Sequence, residues 1–265
     1  MFGFFKDIFK TREGEKVIYR KDTPYNRILV LDDGQKLKLI LDPSYNLHSV
    51  LFKNKVITGS YWDMCAILSL FFSFEGGTVL ILGFGGGSVS RIIKSLAPWI
   101  KVLGVDIDKE VLHVARKFFD AKADYLLVDK FDSFIEYVRM KFKVVFVDVF
   151  QNAMIPFSIF EQDFWSNISG KSEYGVIVNT VSVIQAEGIR EVSRKFFPVS
   201  KIVKNPESEN YVVVNLREFD KDFFKSRAQN IKELLQIKSE KSKNLAHDIR
   251  GILLTIDYIL DAILR

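Results

Sequence analysis

One cysteine, Cys65, stands in 265 residues. That excludes an internal disulfide and leaves no thiolate cluster for a metal. Histidine is almost as scarce. His48, His113 and His247 are scattered along the chain, which argues against a zinc site or a Ser-His-Asp triad. Long apolar runs are missing too: the longest, 65–74, is too short to span a bilayer. The opening MFGFFKDIFK is apolar but carries Lys6 and Asp7 within it, and no small-residue cleavage site follows, so it does not read as a signal peptide. No internal repeat is evident. Charge is mixed: 38 Lys and Arg against 33 Asp and Glu give a net +5, and no basic stripe marks a nucleic-acid surface. The expectation is a cytoplasmic protein with no metal, no membrane span and no nucleic-acid partner.

What is present is an ordinary globular composition, 48% hydrophobic and 27% charged, enough for one large domain with appendages. Three segments separate: 1–58, 59–218 and 219–265. The first reads as strands and turns, with a hairpin folded about the Asp-Asp-Gly of 32–34. Ser60 stands where it would cap a helix carrying Tyr61, Met64, Leu68 and Phe71 and ending at Gly76-Gly77. In the second segment, apolar runs at 79–83, 101–106, 124–129, 143–148 and 174–179 alternate with helical patterns at 88–96, 109–119, 132–140, 157–168 and 185–197. Strands apolar on both faces that alternate with helices predict an α/β doubly wound, mainly parallel seven-stranded sheet. Its last two strands lie too close together for a crossover helix and predict an antiparallel hairpin at the edge. In the third segment, Leu245, Ile249, Ile252, Ile256, Ile259 and Ile263 form a heptad seam on a long helix.

The chemistry concentrates around VLILGFGGGSVSR. Gly83, Gly85, Gly86 and Gly87 follow a strand and open a helix, where the missing Cβ atoms let a ligand approach the backbone and the helix start offers unpaired N–H groups. The next strand ends in Asp106, nineteen residues after Gly87, where a carboxylate accepts both hydroxyls of a ribose. The third ends in Asp129, placed to accept from the exocyclic amine of adenine, with Lys130 beside it. The fourth ends in Asp148. Four consecutive strands thus end in glycine or carboxylate at the edge where doubly wound sheets bind ligands. Ser88 replaces the third glycine of a dinucleotide fingerprint, so an adenosine sulfonium fits better than NAD.

These motifs resemble the spermidine synthase family of aminopropyltransferases, within the class I S-adenosylmethionine-dependent methyltransferase-like fold, over about residues 15–217. Tyr61-Trp62-Asp63-Met64 is similar to the family's Tyr-Gln-Glu-Met, and LILGFGGGSVSRI to its Gly-Gly-Gly-Asp-Gly-Gly-x-x-Arg. VDID resembles its Glu-Ile-Asp, VDKF its Asp-Gly-Phe, and FVDVFQNAMIP its Asp-Ser-Ser-Asp-Pro. The resemblance implies S-adenosylmethionine or its decarboxylated form as co-substrate and an amine acceptor. The implied nucleoside-binding set is Gly83, Gly85, Gly86, Gly87, Asp106, Ile107, Asp129, Lys130 and His48. Asp148 is implied as the base, with Tyr61 beside it, and Tyr25, Asp63 and Gln151 at the acceptor.

The sequence also departs from the family. Gly86 stands where the family loop carries the Asp that holds the aminopropyl ammonium and repels the carboxylate of ordinary S-adenosylmethionine. Gln151 replaces the second Asp of Asp-Ser-Ser-Asp. Aminopropyl transfer, methyl transfer to a non-polyamine substrate, and a nucleoside-binding or oligomeric scaffold without turnover therefore remain open. The third segment is expected to form a homo-oligomer or to clasp Phe2, Phe4, Phe5, Ile8 and Phe9. Its LAHDIRGIL resembles the phosphoacceptor box of sensor histidine kinases, but without that box's proline or a following ATP-binding domain, so His247 reads as a solvent-facing residue.

Overall fold

The computed structural model describes residues 14–151, 154–240 and 243–265. Strands β1 (Lys16–Asp22), β2 (Arg27–Asp32), β3 (Lys36–Ile40) and β4 (Leu47–Phe52) form an antiparallel sheet in chain order. The β2–β3 turn closes because Asp32 and Asp33 accept from the backbone N–H groups of Gly34, Gln35 and Lys36, with Gly34 at φ +87°. The expected hairpin is thus the centre of a larger meander. The Thr23 hydroxyl, accepting from the N–H groups of Tyr25 and Asn26, turns the chain between β1 and β2.

The second sheet comprises β5 (Thr78–Leu82), β6 (Lys101–Asp106), β7 (Tyr125–Val128), β8 (Phe142–Val147), β9 (Ser172–Thr180), β10 (Val199–Lys204) and β11 (Tyr211–Leu216), in the order β10-β11-β9-β8-β5-β6-β7. Strands β5 to β9 pair in parallel, and β11 runs antiparallel to both β9 and β10. The sheet is the expected one, and the last strand lies inside the edge hairpin. Helices are α1 (Tyr61–Ser73), α2 (Ser88–Leu96), α3 (Lys109–Phe118), α4 (Phe131–Tyr137), α5 (Gln162–Ser169), α6 (Val183–Ser193), α7 (Lys221–Ser239) and α8 (Lys243–Leu264).

Alternation of side chains along each strand divides the interior in two. Val79, Ile81, Val144, Phe146 and Ile177 face α1, α2, α7 and α8. Leu80, Leu82, Val145, Val147, Val176 and Val178 face α4, α5 and α6. The N-terminal sheet packs Ile28, Val30 and Leu39 on Val111, Val114 and Phe119.

Three local expectations are corrected. Ser60 takes the N-cap position of α1 but its side chain makes no cap bond. The carboxylate of Asp63, a turn inside, instead accepts from the N–H groups of Thr58 (2.8 Å) and Gly59 (2.7 Å) and from the Thr58 hydroxyl (2.7 Å). Second, α1 is buried along all 13 residues rather than on one stripe, because α8 covers the side the sheet leaves open. Third, the helix that carries the seam is the second of two packed helices in the tail. The α8 seam lies against its own chain: Leu245, Ile252, Ile256, Ile259 and Ile263 are buried in the α1 core. That seam is therefore filled from within and is not left for a second subunit. Asp248 anchors it by accepting from the N–H groups of Val56 and Ile57. His247 is exposed, and the N-terminal phenylalanines lie outside the described residues. Among the described residues, no helix is long and apolar enough to cross a membrane.

Candidate functional site

The parallel strands end together at one rim, and the N-terminal sheet leans over it. Between them lies a cleft of about 1280 Å³. Its floor is the end of β5. Gly83 has φ +80°, and a Cβ there would overlap the backbone of Asp148 on the neighbouring strand. Both Gly83 and Phe84 donate to the carbonyl of Val105, which binds the loop to β6. Phe84, unexpected inside a glycine loop, tucks under it against Gly104, where any Cβ would strike its ring. Gly85 (φ +53°) stays open to the cleft. Gly86 and Gly87 do not line it. The Gly86 N–H donates to the Ser49 hydroxyl at 2.8 Å, and a Cβ on Gly86 would fall 2.6 Å from Ser49 Cβ. Gly87 packs against Ala121 and the Phe84 ring.

Asp106 ends β6. One carboxylate oxygen accepts from the Gly85 N–H and the other from the Asp108 N–H, both at 3.0 Å. Two of its roughly four lone-pair sites therefore remain for a ligand. Burial pushes its pKa up to about 6, against the pull of those N–H donors. Asp129, after β7, accepts from the Lys130 N–H at 2.8 Å and from the hydroxyl of Tyr137. Ile107 and Lys130 line the same side. His48 lines the opposite wall with Nε2 at 3.2 Å from Asp42, and burial holds its pKa below the usual imidazole value.

Asp148 directly follows β8 at the centre. Tyr61 donates to Oδ2 at 3.0 Å and Asn179 to Oδ1 at 2.8 Å. Burial lifts its pKa to about 6, while those two donors favour the ionised form. The Tyr61 hydroxyl is pushed well above its ordinary value, first by burial and then by the Asp148 charge. Asn179 Oδ1 in turn accepts from Asn210 at 2.9 Å, which orients the amide with its NH2 toward Asp148.

Of the residues selected from sequence, Gly83, Gly85, Asp106, Ile107, Asp129, Lys130, His48, Asp148, Tyr61, Tyr25 and Gln151 meet at this cleft. Asp63 does not; Thr58 and Gly59 occupy its carboxylate. Asn179, Asn210 and Tyr137 were missed. Asn179 had a signal, since it nearly ends the fifth parallel strand in register with the acids of the preceding strands. Asn210 and Tyr137 had none, because only strand pairing and a helical turn bring them in. The N-terminal sheet is fastened over the cleft by Asp108, whose carboxylate accepts from Thr23 (2.5 Å) and Asn26 (2.9 Å), and by Glu110, which accepts from Tyr19 and Lys21.

Charge separates the cleft from the rest of the chain. Six aspartates line it (Asp22, Asp42, Asp106, Asp129, Asp132 and Asp148) against only Arg27 and Lys130, although the whole chain is net positive. Low-dielectric walls concentrate such a field, and a cation is the ligand it attracts. Among the described residues, no group of three or more His, Cys, Asp or Glu is placed to hold a metal.

No protein-family model matches the chain. It is 27% identical over 174 residues to a probable polyamine aminopropyl transferase of Bifidobacterium longum, covering 64% of this chain and 39% of that one. A polyamine aminopropyltransferase of Moorella thermoacetica is 25% identical over 201 residues, covering 71% and 69%. The chain thus spans well under half of the first relative and about two thirds of the second. Among solved structures, a probable spermidine synthase from Corynebacterium glutamicum superposes with a TM-score of 0.67 at 16% identity, covering 83% and 87%. Human methyltransferase-like protein 13, in complex with SAH, shares the fold with a TM-score of 0.55 at 20% identity, covering 65% and 90%. The chain is thus similar in sequence to two polyamine aminopropyltransferases and alike in fold to a spermidine synthase and to a methyltransferase-like protein.

Proposed function

We propose that the chain is a transferase that moves an alkyl group, preferentially aminopropyl, from a sulfonium nucleoside to an amine. The observation that carries this reading is Asp148, held by Tyr61 and Asn179 at the centre of an acidic cleft. With a pKa of about 6, Asp148 is mostly ionised at neutral pH. It attracts the acceptor ammonium, orients it with Tyr61, and takes the proton the nitrogen must lose before it can attack. Asp106 has free lone pairs for a ribose diol, and Gly83 and Gly85 leave the backbone open beside it. As the C–N bond forms, the C–S bond breaks and the nucleoside leaves as a neutral thioether. The acidic walls attract the cationic donor and have no such hold on the neutral thioether, which is free to leave.

Decarboxylated S-adenosylmethionine is the donor this charge pattern supports, because it carries no carboxylate to be repelled. Ordinary S-adenosylmethionine, and with it methyl transfer, is the second reading: the loop carries no acid at Gly86 to repel its carboxylate, although Gly86 packs on Ser49 rather than lining the cleft. Calorimetry with both donors tests the choice, with putrescine or spermidine as acceptor. Tighter binding of the decarboxylated form, with turnover, supports aminopropyl transfer. Preference for the carboxylated donor refutes it. Binding without turnover on any amine would point to a scaffold.

A further inference from the structure

Behind the glycine loop, on the far side of α2, lies a second concavity of about 550 Å³. It is enclosed by the end of β4, the flank of α2 and the end of α7. Its charge is the reverse of the cleft's. Lys53, Lys55, Arg91, Lys94, Lys122 and Lys238 line it, against Asp120 alone. Three of these cations are paired: Lys53 with Asp32, Lys94 with Asp124 (both 2.9 Å) and Lys122 with Asp120 (3.2 Å).

The other three form no ion pair among the described residues, although Arg91 lies within the field of Asp63, Asp120 and Asp248. The Arg91 guanidinium is buried and donates to the carbonyl of Val56 at 2.9 Å. Lys238 donates to the carbonyl of Ser95 at 3.2 Å and sits over the Trp99 ring. Lys55 sits over the ring of Phe52. Burial holds the pKa of both Arg91 and Lys238 below their usual values. Lys55 and Lys238 share the hollow with the Arg91 guanidinium and have no ion-pair partner of their own among the described residues; like charges gathered in this way repel, and an anion relieves that repulsion. The hollow has the size of a small-molecule site, too confined for a duplex.

We propose that this hollow is a binding site for a small, multiply charged phosphate-bearing anion, held by Lys55, Arg91 and Lys238. It is separate from the acidic cleft and does not depend on the transfer reaction.

The test is calorimetric titration of the full chain with inorganic tripolyphosphate at low ionic strength. The expected result is saturable one-to-one binding that weakens as salt rises. Lys55→Gln and Lys238→Gln, each near the surface, should weaken it at least tenfold. Two controls should leave it unchanged. One is Asp106→Asn in the cleft. The other is Lys221→Gln, which removes the same charge from the opposite end of α7, about 25 Å away. Absence of saturable binding overturns the proposal. So does a loss in Lys221→Gln equal to that in the pocket variants, since that would reflect net charge alone.

Discussion

Removing one hydroxyl should retune the central carboxylate. In Tyr61→Phe, Asp148 keeps the Asn179 donor and loses the 3.0 Å donor on Oδ2. A hydrogen bond to an ionised group contributes about 1.5–3 kcal/mol. At about 1.4 kcal/mol per pKa unit, that is a rise of roughly one to two units. From about 6, Asp148 would pass from mostly ionised at neutral pH to half or less. A carbon-13 carboxylate titration, with the resonance assigned by its loss in Asp148→Asn, measures the shift without reference to activity. Transfer, where it needs ionised Asp148, should show its acid limb displaced to higher pH by the same amount and recover above about pH 9. An unmoved or lowered midpoint would refute the claim that Tyr61 holds the ionised form.

Other outcomes follow from the same geometry. Asp106 and Asp148 both titrate near 6 in the folded chain, above an ordinary 3.8, so both bind protons more tightly folded than unfolded. Their contribution to stability is complete below about pH 4 and is lost as pH rises toward 6; denaturant midpoints across that range should fall less in Asp148→Asn than in the parent chain. Gly86→Asp, which restores the family's loop acid, places a Cβ 2.6 Å from Ser49 Cβ and should cost about 1–3 kcal/mol by overpacking. Ser49→Gly in the same chain should recover part of that, and an unfolding midpoint equal to the parent's in the single variant would sink the argument. Asp248→Ala strips the acceptor from the Val56 and Ile57 N–H groups and should cost about 2–6 kcal/mol at about 1–3 per orphaned donor, seen as a lowered midpoint with early hydrogen exchange at 56–57.

The strands of the parallel sheet were legible because each is a short apolar run, and the glycine and acids at their ends had to share one edge once the strands ran parallel. The β11 hairpin was legible from the brevity of its connection. Asp63 was misplaced for a physical reason. Next to a cleft residue, Tyr61, it reads as a ligand, but the bend at Thr58–Gly59 turns free N–H groups onto it. Gly86 likewise looked exposed to a ligand, yet the strand that hides it is contributed by another sheet.

The helical periodicity of 245–263 was written in the amino acids; its partner was not, because an apolar stripe is equally content against a second subunit or its own domain. Local pattern determined the elements, their order and the edge at which the acids end. Only tertiary packing decided which carboxylates remain open, since that depends on which N–H and hydroxyl groups from distant segments reach them first. The reversal of charge between the two hollows was likewise beyond the sequence, where Lys and Asp are simply mixed.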